Sequence, residues 1–544
     1  MKKTIALLMA LVILALPLAG CSSSDSEETQ ATTAAPAPTL DTGYQGALGG
    51  NEGYTFPTLE WEDSTDPTEE EELPPVELVE LGDVAVNDKI QHDDLQYVMI
   101  YNPAIYDECL EENIALSTGK IEDQIIVDMD RADGLTEDPL YTPISQAELT
   151  QITANGKMED NRADLMGRIF LEGDVEAFYT YDESMEDPRI LREFTCIYAG
   201  DYCNIWSCDG SISEEDALLC GSAFDTDIAV QMTEKFGDPR FDSQVNFLYY
   251  PMQDGLLGCF SGMDLLAEPE LPYFNLENSG ANTSVNLLHM NSLYDPSGVD
   301  SISTLAHEFQ HLICFTNALA NENLFACRTW MDEAMSGYVE EMIYPGIQFH
   351  AGRMDSYMGS DLIRYGQSLY NFTTNTESRE EWDIGVYGSV YLFASYLERL
   401  GGEDVFANFH NYWRNSYSET LCEAEALVNA VPGEVLETVS ESVIYPTEFS
   451  YETFYSAEEE WMSKLTLQFY LDLLDVDESD PADFHNMEAE ALLYDQLDPA
   501  MIEGGGRVLL QTKGDAFEVP AQSGTGLIYV ALDADFNVLS ISIN

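Results

Sequence analysis

Positive charge is scarce in this chain: 21 Lys and Arg stand against 100 Asp and Glu, for a formal net charge of −79. A surface of that sign repels phosphate backbones and anionic lipid headgroups, which excludes nucleic acid and headgroup recognition as functions. The surplus reads as a solubilising surface suited to an extracellular medium, with cationic substrates or structural Ca2+ as the sharper alternatives. The nearest approach to a calcium loop, Asp128, Asp130, Asp133 and Gly134, only partly matches the required spacing. Among the 10 cysteines no C-x-x-C pair occurs, which argues against a thiolate-ligated zinc. Histidine is scarcer still, with 7 in 544 residues. No internal repeat is evident.

The N-terminus carries an export pattern. Lys2 and Lys3 precede an apolar run from Ile5 to Leu16 that is too short to span a bilayer. Leu18-Ala19-Gly20-Cys21 then resembles the lipobox of bacterial lipoproteins, which implies cleavage before Cys21 and acylation of its thiol. Residues 1–20 are accordingly expected as a signal peptide, with localisation on the extracytoplasmic face through a membrane anchor. With Cys21 set aside the cysteine count is odd, so at least one thiol stays free or pairs between chains; Cys203, Cys208 and Cys220 are near enough in sequence to pair. Residues 21–82, rich in Ser, Thr, Ala, Pro and Glu, cannot bury enough apolar surface to offset ordering and read as a disordered acidic tether.

The remaining length predicts more than one folded unit in an α+β chain. Residues 83–188 alternate short apolar runs with turns and read as a mixed or β module. Beyond it, Arg192–Tyr198, Cys203–Trp206, Val245–Tyr250, Leu256–Ser261 and Val285–Met290 read as strands, with a helix over Ser213–Phe236. An amphipathic helix follows from near Ser301, and the chain is then mainly helical from Arg328 to about 474. Residues 475–544 read as a C-terminal region with a small β module.

The decisive segment is His307-Glu308-Phe309-Gln310-His311 on that helix. Imidazoles at i and i+4 lie on one face and can share a tetrahedral ion, while Glu308 at the edge of that face can act as base toward water. A metzincin would place Gly and His after the second histidine; Cys314 and Asn317 stand there instead. The third ligand is expected to be Glu333, 22 residues beyond His311 and at the start of a second helix. Ala334 and Gly337 would let the two helices approach closely. The rival ligand, His350, follows Pro345-Gly346 and reads as a loop residue.

Glutamate at that distance resembles the gluzincin pattern. More narrowly, Tyr202–Trp206, Ser303–Ala306 before the motif, Trp330–Glu333, Tyr387-Gly388 before Val390–Phe393, and Gly401-Gly402 resemble the hyicolysin-type secreted bacterial metallopeptidases. The resemblance covers about 190–410. It implies a zincin-like domain over 189–474, Zn2+ held by His307, His311 and Glu333, Glu308 as general base, and endopeptidase action on protein or peptide substrates. It also implies that a substrate strand pairs with Leu256–Ser261 and that Tyr387 stabilises the transition state, with His410 as the next donor. In the thermolysin pattern an Asp four residues after the glutamate orients a histidine. Here that position is Gly337, and Asp332 is the candidate for the same task from the other side. A catalytically inactive binding or adhesion lipoprotein on the same fold, a transporter's solute-binding lipoprotein and an aminopeptidase are the alternatives.

Overall fold

A computed structural model describes residues 81–103, 170–181, 189–271, 280–321, 327–357, 385–416, 421–442, 456–473, 506–519 and 526–543, a few positions inside these stretches aside, together with 365–366, 369 and 492–493. Cys21, the signal, nearly all of the tether and the acidic cluster Asp128–Gly134 lie outside the described residues. No helix among the described residues is long and apolar enough to cross a membrane.

The strands near the start are β1 (Leu81–Asp83), β2 (Lys89–Gln91) and β3 (Tyr97–Tyr101). There follow β4 (Val175–Thr180), β5 (Ile190–Ala199), β6 (Cys203–Ser207), β7 (Val245–Tyr250), β8 (Gly258–Phe260) and β9 (Leu287–Asn291). Helices α1 (Glu214–Ala223) and α2 (Ala229–Phe236) lie between β6 and β7. After β9 come α3 (Val299–Ala320), α4 (Thr329–Ile343), the short α5 (Ile347–His350), α6 (Gly385–Gly401) and α7 (Val405–Asn415).

Strands β4 to β9 form one six-stranded sheet in the order β4-β5-β6-β7-β9-β8, so β8 is an edge. The inner pairs β6–β7 and β7–β9 are parallel, and every residue of these three strands is buried. A parallel centre covered on both faces explains their unbroken apolar runs. Phe178, Phe194, Trp206 and Tyr250 pack on one face, while Phe247 on the other meets Phe224, which in turn meets Phe309 of α3.

The stretch read as one helix over Ser213–Phe236 is continuous but contains a π turn at Phe224–Ile228 between α1 and α2. Ser213 caps its start by accepting from Asp216 N, and Gly237 ends it at φ 102°. Within the π turn, the Asp225 carboxylate accepts backbone N–H bonds from Asp201, Tyr202 and Cys203 at 2.8–3.1 Å. That ties the helix to the β5–β6 turn.

The ends of the chain, read as two separate modules, are joined by strand pairing. Strand β3 lies antiparallel between β10 (Arg507–Gln511) and β11 (Ile528–Leu532). β1 runs parallel to the final strand Val538–Ile543. A wholly buried strand such as Val98–Tyr101 needs partners on both sides, and here the C-terminal strands supply them.

The histidine helix also departs from expectation. An amphipathic helix keeps one face in water, but α3 is buried continuously from Ser301 to Ala320. Gln310 and Asn317 turn toward the buried His410, and Ser301, Ser303, Thr304 and Thr316 donate to backbone carbonyls. His350 closes α5 rather than sitting on a loop, after Gly346 turns the chain at φ 90°. All described cysteines are free thiols, including Cys203, Cys208 and Cys220.

Candidate active site

The i, i+4 spacing puts His307 and His311 on one face of α3, with ring centroids 4.9 Å apart. Facing them, α4 supplies Glu333 from its first turns. Its Oε2 lies 3.2 Å from His307 Nε2 and 3.8 Å from His311 Nε2. Donor atoms of these three residues all fall within 4.8 Å of one another, and all three residues are buried. Ligands about 2.0–2.1 Å from a tetrahedral ion stand roughly 3.4 Å apart, so this separation is that of a ligand set. Both His307 nitrogens and Glu333 Oε2 lack a well-formed hydrogen bond. Buried polar atoms left without partners cost folding energy unless something else meets them. The residues therefore fit a bound metal ion.

Each imidazole is held from behind. His311 Nδ1 is 2.9 Å from Asp332 Oδ2, so the residue before the glutamate ligand reaches the second histidine. His307 Nδ1 faces Glu340 Oε1 at 3.5 Å. Glu340 is seven residues, two helical turns, beyond Glu333 on the same face of α4, a spacing that the sequence displays and its reading missed. Burial alone would raise the Glu340 carboxyl, but the Arg353 guanidinium and then His307 hold it far below the usual carboxylate range. Arg353 donates to both Glu340 oxygens, and Gln348 Nε2 adds a bond at 2.9 Å. Gly337, where the thermolysin pattern has Asp, opens instead onto Tyr391 of α6, whose Cβ lies 3.4 Å from where a Gly337 Cβ would be. The glycine thus serves the contact between α4 and α6, not the expected one with α3.

Glu308 is buried, and its Oε2 has no hydrogen-bond partner. Burial pushes its carboxyl up, the two histidines pull it down, and the balance is about 7. Edge strand β8 lies directly against it: a Cβ on Gly258 would stand 3.2 Å from Glu308 Cγ and 3.0 Å from Thr304 Cγ2. Tyr387, in the first turn of α6, is buried under the influence of Glu333, Arg353 and Glu308, and burial keeps its phenol protonated far above neutrality. Gly388 makes that placement possible, since a Cβ there would meet Arg353 O at 2.7 Å.

Two other candidates fall elsewhere. His350 stands outside the ligand group, 3.9 Å from Asp300 Oδ1. His410 is enclosed in the core with Nε2 2.9 Å from Gln310 Nε2 and Nδ1 2.7 Å from Asn317 Nδ2. Burial lowers its pKa to about 4. It is a packed structural histidine, not a donor.

No family model matches the chain. It is 28% identical over 277 residues to the neutral metalloprotease ShpI of Staphylococcus hyicus. That similarity takes in 47% of this chain and 58% of the relative, so the chain spans less than two thirds of that protein.

Metal entry must compete with protons here. Burial disfavours a charged His307, yet Glu340 and Glu333 outweigh it and raise its pKa to about 10 without an ion. A metal then displaces a proton at neutral pH, and affinity rises with pH. Glu340→Gln is expected to weaken metal binding about 10–100-fold, as is usual when a histidine loses its orienting carboxylate. It should also reduce the protons released per ion. Chelator competition and calorimetry in buffers of different ionisation enthalpy measure both, and unchanged affinity would show that Glu340 does not support the ligand.

Proposed function

We propose that this chain is a zinc-dependent endopeptidase that hydrolyses peptide bonds of extracellular proteins. The observation that carries the reading is the buried His307–His311–Glu333 group with Glu308, whose Oε2 has no hydrogen-bond partner, next to His307 on the same helix. The similarity to a neutral metalloprotease supports the same class of chemistry. Zinc suits a two-imidazole, one-carboxylate set, and when bound it would acidify a water and polarise a carbonyl.

The protein's own groups do the rest. Glu308 takes the proton from water and returns it to the leaving amine, a role open to a buried carboxylate whose Oε2 has no other hydrogen-bond partner. Tyr387 donates to the carbonyl oxygen as negative charge develops there. Asp332 and Glu340 keep the imidazoles oriented. The free edge of β8, packed on Glu308, offers backbone groups to an extended substrate.

Purified protein is expected to cleave casein or gelatin at internal bonds, to stop on chelation, and to recover with stoichiometric Zn2+. Metal-loaded protein that cleaves neither would overturn the reading and favour a binding lipoprotein. In the same proposal the enzyme is exported and tethered through Cys21, and a Cys21→Ser protein that still partitions fully with membranes would remove that part.

A further inference from the structure

The six-stranded sheet contains a second buried polar cluster, apart from the metal group. Strand β8 has three residues and, among the described residues, pairs on one side only, with β9. So short an edge has too few ladder bonds to hold itself. Side chains hold its two ends instead. At the entry, Asn291 Nδ2 donates to Leu256 O at 2.6 Å, and Asn291 Oδ1 accepts from Met252 N at 3.1 Å. At the exit, Arg189 Nη2 donates to Ser261 Oγ, and Arg189 Nη1 donates to both oxygens of Asp264 at 2.8 and 2.9 Å.

The arginine and aspartate side chains are wholly buried. Asp264 also accepts from Asn282 N at 2.8 Å and lies 3.2 Å from His289 Nε2. His289 stands opposite Cys259, the middle residue of β8, and its Nδ1 meets the Tyr250 phenol at 3.0 Å. Arg189 leads into β5, at the far side of the sheet order, so its reach to Ser261 closes the curl of the sheet onto β8. A buried ion pair gains little over apolar side chains of the same volume. What this one supplies is a fixed position for an edge that carries no strand on its outer side among the described residues.

We propose that the Arg189–Asp264–His289 network is a positioning device that fixes the free edge of β8 for backbone pairing with an extended peptide. The role rests on the peptidase reading above. It predicts that the network governs recognition along the strand and leaves metal binding alone.

The test uses the full chain loaded with Zn2+, as wild type, Asp264→Asn and Ser261→Ala. Breaking a buried ion pair is strongly destabilising, so Ser261→Ala, which removes one hydroxyl, is the milder second variant. Two inhibitors are compared: acetohydroxamate, which needs only the metal, and a tripeptidyl hydroxamate, which must also lie along β8. In the variants KM for a peptide and Ki for the tripeptidyl compound should rise about tenfold, with kcat, metal content and acetohydroxamate Ki little changed. Amide exchange over 256–261 should quicken while that of α3 does not. Equal weakening of both inhibitors, or unaltered exchange in β8, overturns the proposal. A wild type that cleaves no peptide would bring down the peptidase reading, and the exchange measurement still decides whether the network holds the strand.

Discussion

Glu308→Gln is expected to keep near-stoichiometric zinc while kcat falls by at least about 10²–10⁴-fold. The substitution preserves volume and leaves the three residues that could hold the ion, His307, His311 and Glu333, untouched. What disappears is the acceptor for the water proton. A nearby water could replace an exposed base, but Glu308 is buried against Gly258 of the edge strand, and its Oε2 has no hydrogen-bond partner. Its pH behaviour follows from its surroundings. Burial sets the carboxyl near 7 without an ion, and the positive charge of a bound metal would favour the carboxylate and move it lower. The base works only when deprotonated, so the acid limb of kcat/KM is expected below pH 7 in the wild type. Residual activity in the Gln variant should lack that limb. Metal analysis with single-turnover hydrolysis across pH checks both parts, and a Gln variant within tenfold of wild type would place the base elsewhere.

That His307, His311 and Glu333 come together was legible in two ways: the histidine pair from helical spacing on α3, and Glu333 from its distance along the chain, which resembles the gluzincin pattern. The support behind His307 was only half legible. Glu340 repeats the face of Glu333, but its partner Arg353 reaches it across the Gly346 turn and α5, a geometry no spacing rule encodes. The same limit applies to the terminal sheet. Tyr97–Ile100 stands out in the sequence as a short apolar run, yet the partners of the strand it forms lie at Arg507–Gln511 and Ile528–Leu532. Pairing over that separation is decided by burial and register, neither of which is local. The amphipathic reading of α3 failed for a different reason. Its polar residues look solvent-facing in a sequence, whereas here Gln310 and Asn317 meet His410 in the core and the Ser and Thr hydroxyls donate to backbone carbonyls.

Tyr387→Phe is expected to lower kcat and kcat/KM together by about 10²–10³-fold, with zinc content and fold unchanged. Attack on a carbonyl builds negative charge on its oxygen, and a donor that strengthens only then accelerates the reaction without tightening substrate binding. Tyr387 has the attributes of such a donor. Burial first, and then the charges of Glu333, Glu308 and Glu340, keep its phenol protonated, with Arg353 acting in the opposite sense. The Arg353 guanidinium carbon lies 5.5 Å from the ring centroid, which limits where the ring can go. Gly388 lets α6 settle against Arg353 and Tyr357 in a space that a methyl group would close. A residue that merely packed would lose little on removal of one oxygen, because the Phe ring fills the same volume. The kinetic split therefore separates the roles: a packing tyrosine predicts a small change in stability and near-normal kcat. Were the Phe variant to turn over within a few-fold of wild type, Tyr387 would not be the donor. His410 could not take its place, with both ring nitrogens engaged by Gln310 and Asn317. Arg353, beside the ring and already tied to Glu340, would be the group to test next.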